Sequence, residues 1–486
     1  MMRSARCYTF IAWFPTLALV LSLGACTVVD PSAPSPRPSN PQNEEAPGRP
    51  DRATDPRGQP SAGDPRAGDP GARATDAPGG ALRNTAWKTP GGAVAGYRAR
   101  PLPAVVRALW VVRTTLTDPD SIRVMAERAA EAGFNTLVVQ VRGRGDAYYE
   151  SRWEPTPATV LDEGPTFDPL AVVIDEAHQR GMGVHAWVNG HLVGGLGGLP
   201  TDPTHLIRAR PDLLAVPRAL ARDLYDMDPW VPRYAETILQ YSQQNTDRVE
   251  GLYSTPSHPE VKEHLYSVWM DLVESYELDG LHFDYIRYPS ADFDYSRDAL
   301  ERFRNWVTPR ISPARRAGLD RALQSDPLAY TDSLPGPWGE FRRAQITGLV
   351  ERIYHGVKKR RPDLTVSAAV FPNFEDAYLY RFQDWKGWLA GGILDAVAPM
   401  AYTPDNEIFE AQIGSAIEAA GRNRVWAGVG IYQNTYRGTL DKIRIAGNLG
   451  TRGVILFSYD WAVTEGEGRG NRTFLQRIAE DAFRER

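Results

Sequence analysis

Cysteine is nearly absent. The 486 residues include two, Cys7 and Cys26, and both precede the part of the chain that reads as folded. That excludes disulfides, thiolate-rich metal sites and a cysteine nucleophile within the folded part. An excess of charge of one sign is missing too. The formal net charge is only -5, so no nucleic-acid partner is expected. No G-x-S-x-G elbow offers a nucleophilic serine, and no Walker loop offers a phosphate cradle. Val111-Val112-Arg113-Thr114-Thr115, at the end of the first apolar run, holds no glycine. An open doubly wound sheet would usually place a glycine-rich turn there. From Thr27 as far as Trp87 there is no aromatic residue at all, and Pro, Gly, Ala, Asp and Arg crowd the stretch. Such a segment cannot bury enough apolar surface to offset its ordering entropy.

What is present divides the chain in three. Arg3 and Arg6 precede a mostly apolar run from Ile11 to Leu23, then Leu23-Gly24-Ala25-Cys26. The run is short for a membrane span, and the pattern resembles a bacterial lipoprotein signal, with Cys26 as the lipidated residue after cleavage. Residues 1–26 are therefore expected to be a signal peptide, 27–100 a tether and 101–486 the catalytic body. The expected location is the cell envelope, on a membrane through the lipid anchor, facing the periplasm or the exterior. Deleting about Pro31 to Gly80 should leave the Tm essentially unchanged. A large drop would mean that the segment packs on the body.

From Arg107 onward strands and helices alternate. Eight apolar runs carry the strand signature: Ala108–Val112, Thr136–Val141, Gly183–Asn189, Gly280–Ile286, Thr365–Phe371, Asp395–Tyr402, Val425–Tyr432 and Gly453–Tyr459. Amphipathic stretches separate them, among them Ser121 to Ala132, one opening at Asp168-Pro169 and closing at Gly181, and one opening at Pro259. Eight such units predict an α/β fold, a (β/α)8 TIM barrel. Two connections are far longer than the rest, Gly190 to about His258 and Arg287 to about Trp338. They follow the third and fourth strands and should roof one side of the cleft.

The fourth strand, Gly280-Leu281-His282-Phe283-Asp284-Tyr285, alternates so that His282 and Asp284 point into the barrel. A carboxylate at that end of an inward face is costly to bury without a purpose, and active sites sit at that end. The second strand turns Gln140 and Arg142 inward, and two glycines bring Asp146 towards the mouth. Arg142 either touches substrate or braces the barrel through a carboxylate. The third strand gives His185, Trp187 and Asn189 on one face, then His191. Their spacing matches no zinc signature, so hydrogen bonding to sugar hydroxyls is the expected role, with no metal and no cofactor. The eighth strand reads with Ile455 and Phe457 outward and Ser458 and Asp460 inward. Tyr402 and Asp405 follow the sixth strand, Glu375 and Asp376 the fifth. Carboxylates near several strand ends suit glycoside hydrolysis by a carboxyl pair. Thirteen Trp and twenty-one Tyr supply rings for sugar faces as well as for the core.

These motifs resemble the bacterial glycoside-hydrolase-like family ten. The match runs through Phe134-Asn135-Thr136, Gln140-Val141-Arg142, Gly145-Asp146-Ala147-Tyr148-Tyr149, Phe167-Asp168-Pro169-Leu170, His185-Ala186-Trp187-Val188-Asn189, Asp279 to Tyr285, Tyr288-Pro289, Ala398-Pro399-Met400 and Phe457-Ser458-Tyr459. The resemblance implies a barrel related to the alpha-amylase-like glycosidases, exported or lipid-anchored, acting on polysaccharide. It places the nucleophile or its counterpart on Asp284. Many members carry two consecutive Asp residues there, whereas Tyr285 follows Asp284 in this chain. The proton donor is therefore open among Asp146, Glu375, Asp405 and Asp460. Arg142, His185, Asn189, His282, Arg287, Tyr402, Asp405 and Asp460 are the expected sugar contacts, and the protein is expected to be a monomer. A glycan-binding lipoprotein that has lost the acid, and a transglycosylase with the same residues, are the alternatives.

Overall fold

The computed structural model describes residues 94, 96–164, 166–466 and 473–483. The signal peptide, Cys26 and nearly all of the tether lie outside the described residues. Eight parallel strands form the barrel: β1 (Val106–Val111), β2 (Thr136–Arg142), β3 (Gly183–Asn189), β6 (Gly280–Asp284), β7 (Thr365–Val370), β8 (Ala396–Pro399), β9 (Trp426–Gly430) and β10 (Gly453–Phe457). Two short strands, β4 (Leu192–Gly194) and β5 (Leu252–Tyr253), pair antiparallel beside it. The barrel strands run in the order β8-β7-β6-β3-β2-β1-β10-β9. Parallel bridges Val397 to Val425 and Met400 to Gly428 join the two ends.

All eight expected runs form strands, and local chemistry explains the helices between them. Helix α1 (Pro119–Glu131) starts where the Asp118 carboxylate accepts the Ser121 N–H and Pro119 supplies a preset φ. Its Ile122, Met125, Ala126 and Ala129 are buried at three- and four-residue steps. Asp168 caps α2 (Pro169–Gln179) in the same way. Helix α3 (Pro259–Ser275) buries Val261, Leu265, Val268 and Leu272. These helices pack on Leu137, Val139, Val141, Leu281 and Phe283, the outward set of the strands.

The lumen is a separate apolar cluster: Val106, Ala108, Trp110, Val138, Trp187, Ala369, Ala398, Trp426, Ile455 and Phe457 among others. This corrects the eighth strand. Ile455 and Phe457 face inward, while Val454 and Leu456 face the helices. Every residue from Val454 to Phe457 is apolar, so the sequence carries no alternation by which to choose a face.

The long connections are folded. The second contains α4 (Arg297–Val307), α5 (Pro313–Leu323) and α6 (Ala329–Ser333), and leads into α7 (Pro335–Arg360). Tyr295, Phe303, Leu319, Tyr330, Trp338 and Phe341 give it a core of its own, which also takes in Ala221 from the first connection. Tyr295 N–H to Val216 O at 2.8 Å and Arg218 to Asp332 at 2.8 Å tie the two connections together.

At the opposite, N-terminal end of the barrel, the Asp279 carboxylate gathers Tyr97 OH (2.8 Å), Arg100 N–H (2.6 Å), His178 Nε2 (2.9 Å) and Val184 N–H (2.8 Å). Residues Tyr97 to Arg100, expected in the tether, are thus already docked on the barrel.

Candidate active site

β6 ends at Asp284 because Tyr285 takes φ +48, a left-handed conformation that breaks the extended chain. Asp284 is 4% exposed. Its Oδ1 accepts the Tyr285 N–H at 2.7 Å, and its Oδ2 accepts Trp187 Nε1–H at 3.1 Å. Asn189 is its register partner on β3. The same indole N–H reaches Asn189 Oδ1 at 2.9 Å, and Asn189 donates to Gly143 O at 2.9 Å. Burial pushes the Asp284 carboxyl up to about 6, against the pull of Arg287 and the two N–H donors. At neutral pH it is therefore ionised for the most part, and a modest change of surroundings would protonate it.

Trp187, which donates to this carboxylate, is one of a cluster of lumen rings and meets Phe457 edge-on at 6.3 Å. Tyr402 stacks on Phe457 with centroids 5.5 Å apart, and Tyr432 and Trp110 meet Phe457 edge-on at 6.0 and 5.9 Å. Burial raises the Tyr402 phenol well above its ordinary value, with Tyr432 and Asp284 adding to the shift, so it stays neutral. The rings come from the ends of β1, β8, β9 and β10, so the wall is assembled from distant parts of the chain.

Other expected site residues are placed elsewhere. Arg142 is wholly buried and chelates Glu154 through Nε (2.7 Å) and Nη2 (2.6 Å), while Nη1 donates to Gly190 O (2.8 Å) and Asn189 O. All three of its guanidinium nitrogens are engaged, so it braces the barrel. His282 is wholly buried one layer below Asp284, between Trp110 Nε1 (3.2 Å) and Ser367 Oγ (2.9 Å). His185 lies deeper, beside Gly280 and edge-on to Trp426 at 5.5 Å. Burial pushes His282 down to about 3 and His185 to about 4, so both are neutral groups packed inside the barrel. Asp146 accepts the N–H groups of Arg144 (2.8 Å) and Gly143 (3.3 Å), holding the turn after β2. Asp405 is the exposed N-cap of the helix Asn406–Ala420, accepting from Glu407 and Ile408. Asp460 accepts Val112 N–H (2.8 Å), Thr115 Oγ1–H (2.5 Å) and Thr114 Oγ1–H (3.2 Å), joining the end of β10 to the end of β1. Each of these three carboxylates is occupied by local structure. Glu375 stands exposed in the first turn of the helix Phe374–Tyr380, after the fifth barrel strand.

Two acidic residues in the surroundings went unread in the sequence. Glu154 is the partner of Arg142, and Glu250 pairs with buried Arg287 at 3.0 Å. Neither sits at a strand end, and each meets its arginine only through the fold. Among the described residues no group of three or more His, Cys, Asp or Glu side chains is placed to hold a metal ion.

A buried carboxylate on the C-terminal rim of a (β/α)8 barrel, flanked by aromatic rings, is a glycoside-hydrolase type of site. The chain belongs to the glycosyl hydrolase-like 10 family, whose model matches residues 105–438. It is 24% identical to glycosyl hydrolase DigH of Escherichia coli K12 over 289 residues, 56% of this chain and 55% of that protein. It is also 24% identical to glycosyl hydrolase YngK of Bacillus subtilis over 288 residues, 56% of this chain and 46% of that protein. The chain thus spans about half the length of the curated relatives it matches. Among solved structures the fold is similar to the PgaB glycoside hydrolase domain from Bordetella bronchiseptica. There the TM-score is 0.52 and the identity 14%, covering 78% of this chain and all of that one. It is also similar to the catalytic domain of beta-amylase from Paenibacillus polymyxa (TM-score 0.51, 10% identity, 79% and 99% covered). At such identities the likeness concerns the fold alone.

Proposed function

We propose that this protein is a lipid-anchored glycoside hydrolase working outside the cytoplasm on a polysaccharide of the bacterial cell envelope, with peptidoglycan glycan strands as the first substrate to try. The observation that carries the reading is Asp284: a nearly buried carboxylate at the rim of the fourth barrel strand, held by Trp187 and Tyr285 N–H groups beside a wall of rings. Ionised, it attacks the anomeric carbon or stabilises the oxocarbenium-like transition state. The aromatic wall offers apolar faces to sugar rings. Glu375 is the first candidate for the proton donor, since Asp146, Asp405 and Asp460 are engaged by backbone N–H groups.

The test is to incubate a soluble form beginning at Gly91, which keeps Tyr97 and Arg100, with a panel of cell-wall and capsular glycans. Released oligosaccharides are read by mass spectrometry. Product from at least one glycan is expected; binding without product would favour a glycan-binding lipoprotein. If Glu375 donates the proton, Glu375→Gln loses turnover on natural glycans and regains it on substrates with good leaving groups, which need little protonation. An unrescued loss would move the donor elsewhere. For the anchor, Cys26→Ala should release the protein from the membrane fraction or block its maturation. A mutant that stays membrane-bound and is processed normally would remove the lipid from the account.

A further inference from the structure

Arg113 follows β1 on the same rim of the barrel as Asp284 and is half-buried. A chain of contacts joins the two. The Trp187 indole N–H, which Asp284 accepts at 3.1 Å, also reaches Asn189 Oδ1 at 2.9 Å, and the Asn189 amide donates to Gly143 O at 2.9 Å. The Arg113 side chain lies along Gly143. A Cβ there would come within 2.5 Å of Arg113 Cδ and 2.8 Å of its Nε, so only glycine leaves the room.

Arg113 is also held from below. Its Nη1 donates to Gln140 Oε1 at 3.0 Å, and its backbone N–H reaches the same oxygen at 3.5 Å. Gln140 is wholly buried, points inward from β2 and is the register partner of Trp187. Its Nε2 has no partner among the described residues. Buried polar groups are ordinarily satisfied, and this amide leaves its own donors idle while its carbonyl fixes one arginine. The arginine so fixed has no carboxylate of its own. Arg142 and Arg287 each pair with a glutamate, at 2.6 and 3.0 Å, whereas among the described residues no Asp or Glu pairs with Arg113. Asp146 and Asp460, which hold the turns beside it, accept backbone N–H groups and a threonine hydroxyl. The Tyr148 phenol next to it is neutral, pushed up to about 12 by burial.

We propose that Arg113 is a substrate-binding residue that receives a carboxylate carried by the sugar beside Asp284, so that the glycan taken here is an acidic one. Gln140 and Gly143 are its positioning residues: one fixes the guanidinium, the other leaves space for its stem. This deepens the reading of Asp284 as the reacting carboxylate and rests on it. A guanidinium with one nitrogen fixed on an amide keeps others for a ligand, and its planar fork matches the two oxygens of a carboxylate.

The test is binding, read by calorimetry in an Asp284→Asn background so that the glycan stays whole. The probes are peptidoglycan glycan strands and a uronate-containing capsular polysaccharide. Each is used in native form and after carbodiimide coupling of its carboxylates to methylamine. At least one native glycan should bind at least about tenfold tighter than its amidated form. Arg113→Gln should lose that margin on the native glycan and bind the amidated one as the parent does. Gly143→Ala, which pushes the guanidinium aside, should weaken native binding too, and should cost nothing further once Arg113→Gln is present. Equal binding of native and amidated glycans would overturn the proposal, as would binding to neither, or an Arg113→Gln loss that persists on amidated glycan. A wild type that binds acidic glycan through Arg113 yet releases no product would instead strike at the reading of Asp284 and leave this result standing.

Discussion

Asp284→Asn should lower kcat by at least ~10³-fold, about 4 kcal/mol of transition-state stabilisation, on any glycan the wild type cleaves. The substitution keeps the shape and one accepted hydrogen bond while removing the charge and the nucleophile. A bracing residue would instead cost stability and spare turnover. Here the stability expectation runs the other way. The folded carboxyl is raised to about 6 from an ordinary value near 3.8. Below the unfolded value both states are protonated and nothing is lost. Between the two values the unfolded chain ionises and the folded one resists, so stability falls as pH rises, and the cost is complete above about pH 6. A shift of that size corresponds to up to about 3 kcal/mol. Asn escapes it, although its amide turns one donor towards the Tyr285 or Trp187 N–H and gives back about 1–3 kcal/mol. The Tm of the variant relative to wild type should therefore rise from pH 4 to pH 7. Measured on one preparation, a folded variant with near wild-type turnover would sink the assignment.

Glu154→Gln should be the most damaging single change to the barrel itself. Glu154 receives Arg142 at 2.6 Å and His264 Nε2 at 2.9 Å, all of them buried. Burial works against its charge, yet Arg142 and His264 together hold the carboxyl well below the usual range. Removing the charge strands a guanidinium with no solvent access. Breaking such a pair from one side costs on the order of 3–5 kcal/mol, or roughly 5 °C of Tm for a body of this size. The pH dependence has the opposite sign to that of Asp284. The folded value is depressed, so the contribution of Glu154 is complete above about pH 4.5 and is lost as pH falls through the folded value. The Tm gap between wild type and Glu154→Gln should thus be widest near neutral pH and shrink in acid. An equal gap at pH 3 and pH 7 would show that packing, and not the ion pair, carries the effect.

The barrel could be read from the chain because its strands are short apolar runs between helices with plain stop and start signals, such as Asp168-Pro169 and Gly181. Asp284 could be read because Leu281 and Phe283 alternate with His282 and Asp284. What failed were assignments that need the third dimension. Arg142 stayed open between substrate contact and a carboxylate brace because its partner, Glu154, lies twelve residues away, outside any strand pattern. The histidines 185 and 282 share the inward face with Asp284 but sit in lower layers, and parity fixes the face without fixing the depth. Asp405 could have been recognised as a cap, since it stands directly before a helical run. Asp146 and Asp460 are consumed by turn and seam hydrogen bonds that no spacing announces. Glu250 lies in a long connection whose fold depends on packing against another long connection.

The most direct test of the account is oligosaccharide release in heavy-oxygen water. Wild type and Asp284→Asn are incubated with the same envelope glycan, and the new ends are read by mass spectrometry. The account predicts that wild type releases fragments whose new reducing ends carry the heavy oxygen, and that Asp284→Asn, folded by Tm, releases at most about a thousandth as much. Fragments without the label would identify transfer to another sugar. Equal labelled release by both proteins would contradict the assignment of the chemistry to Asp284.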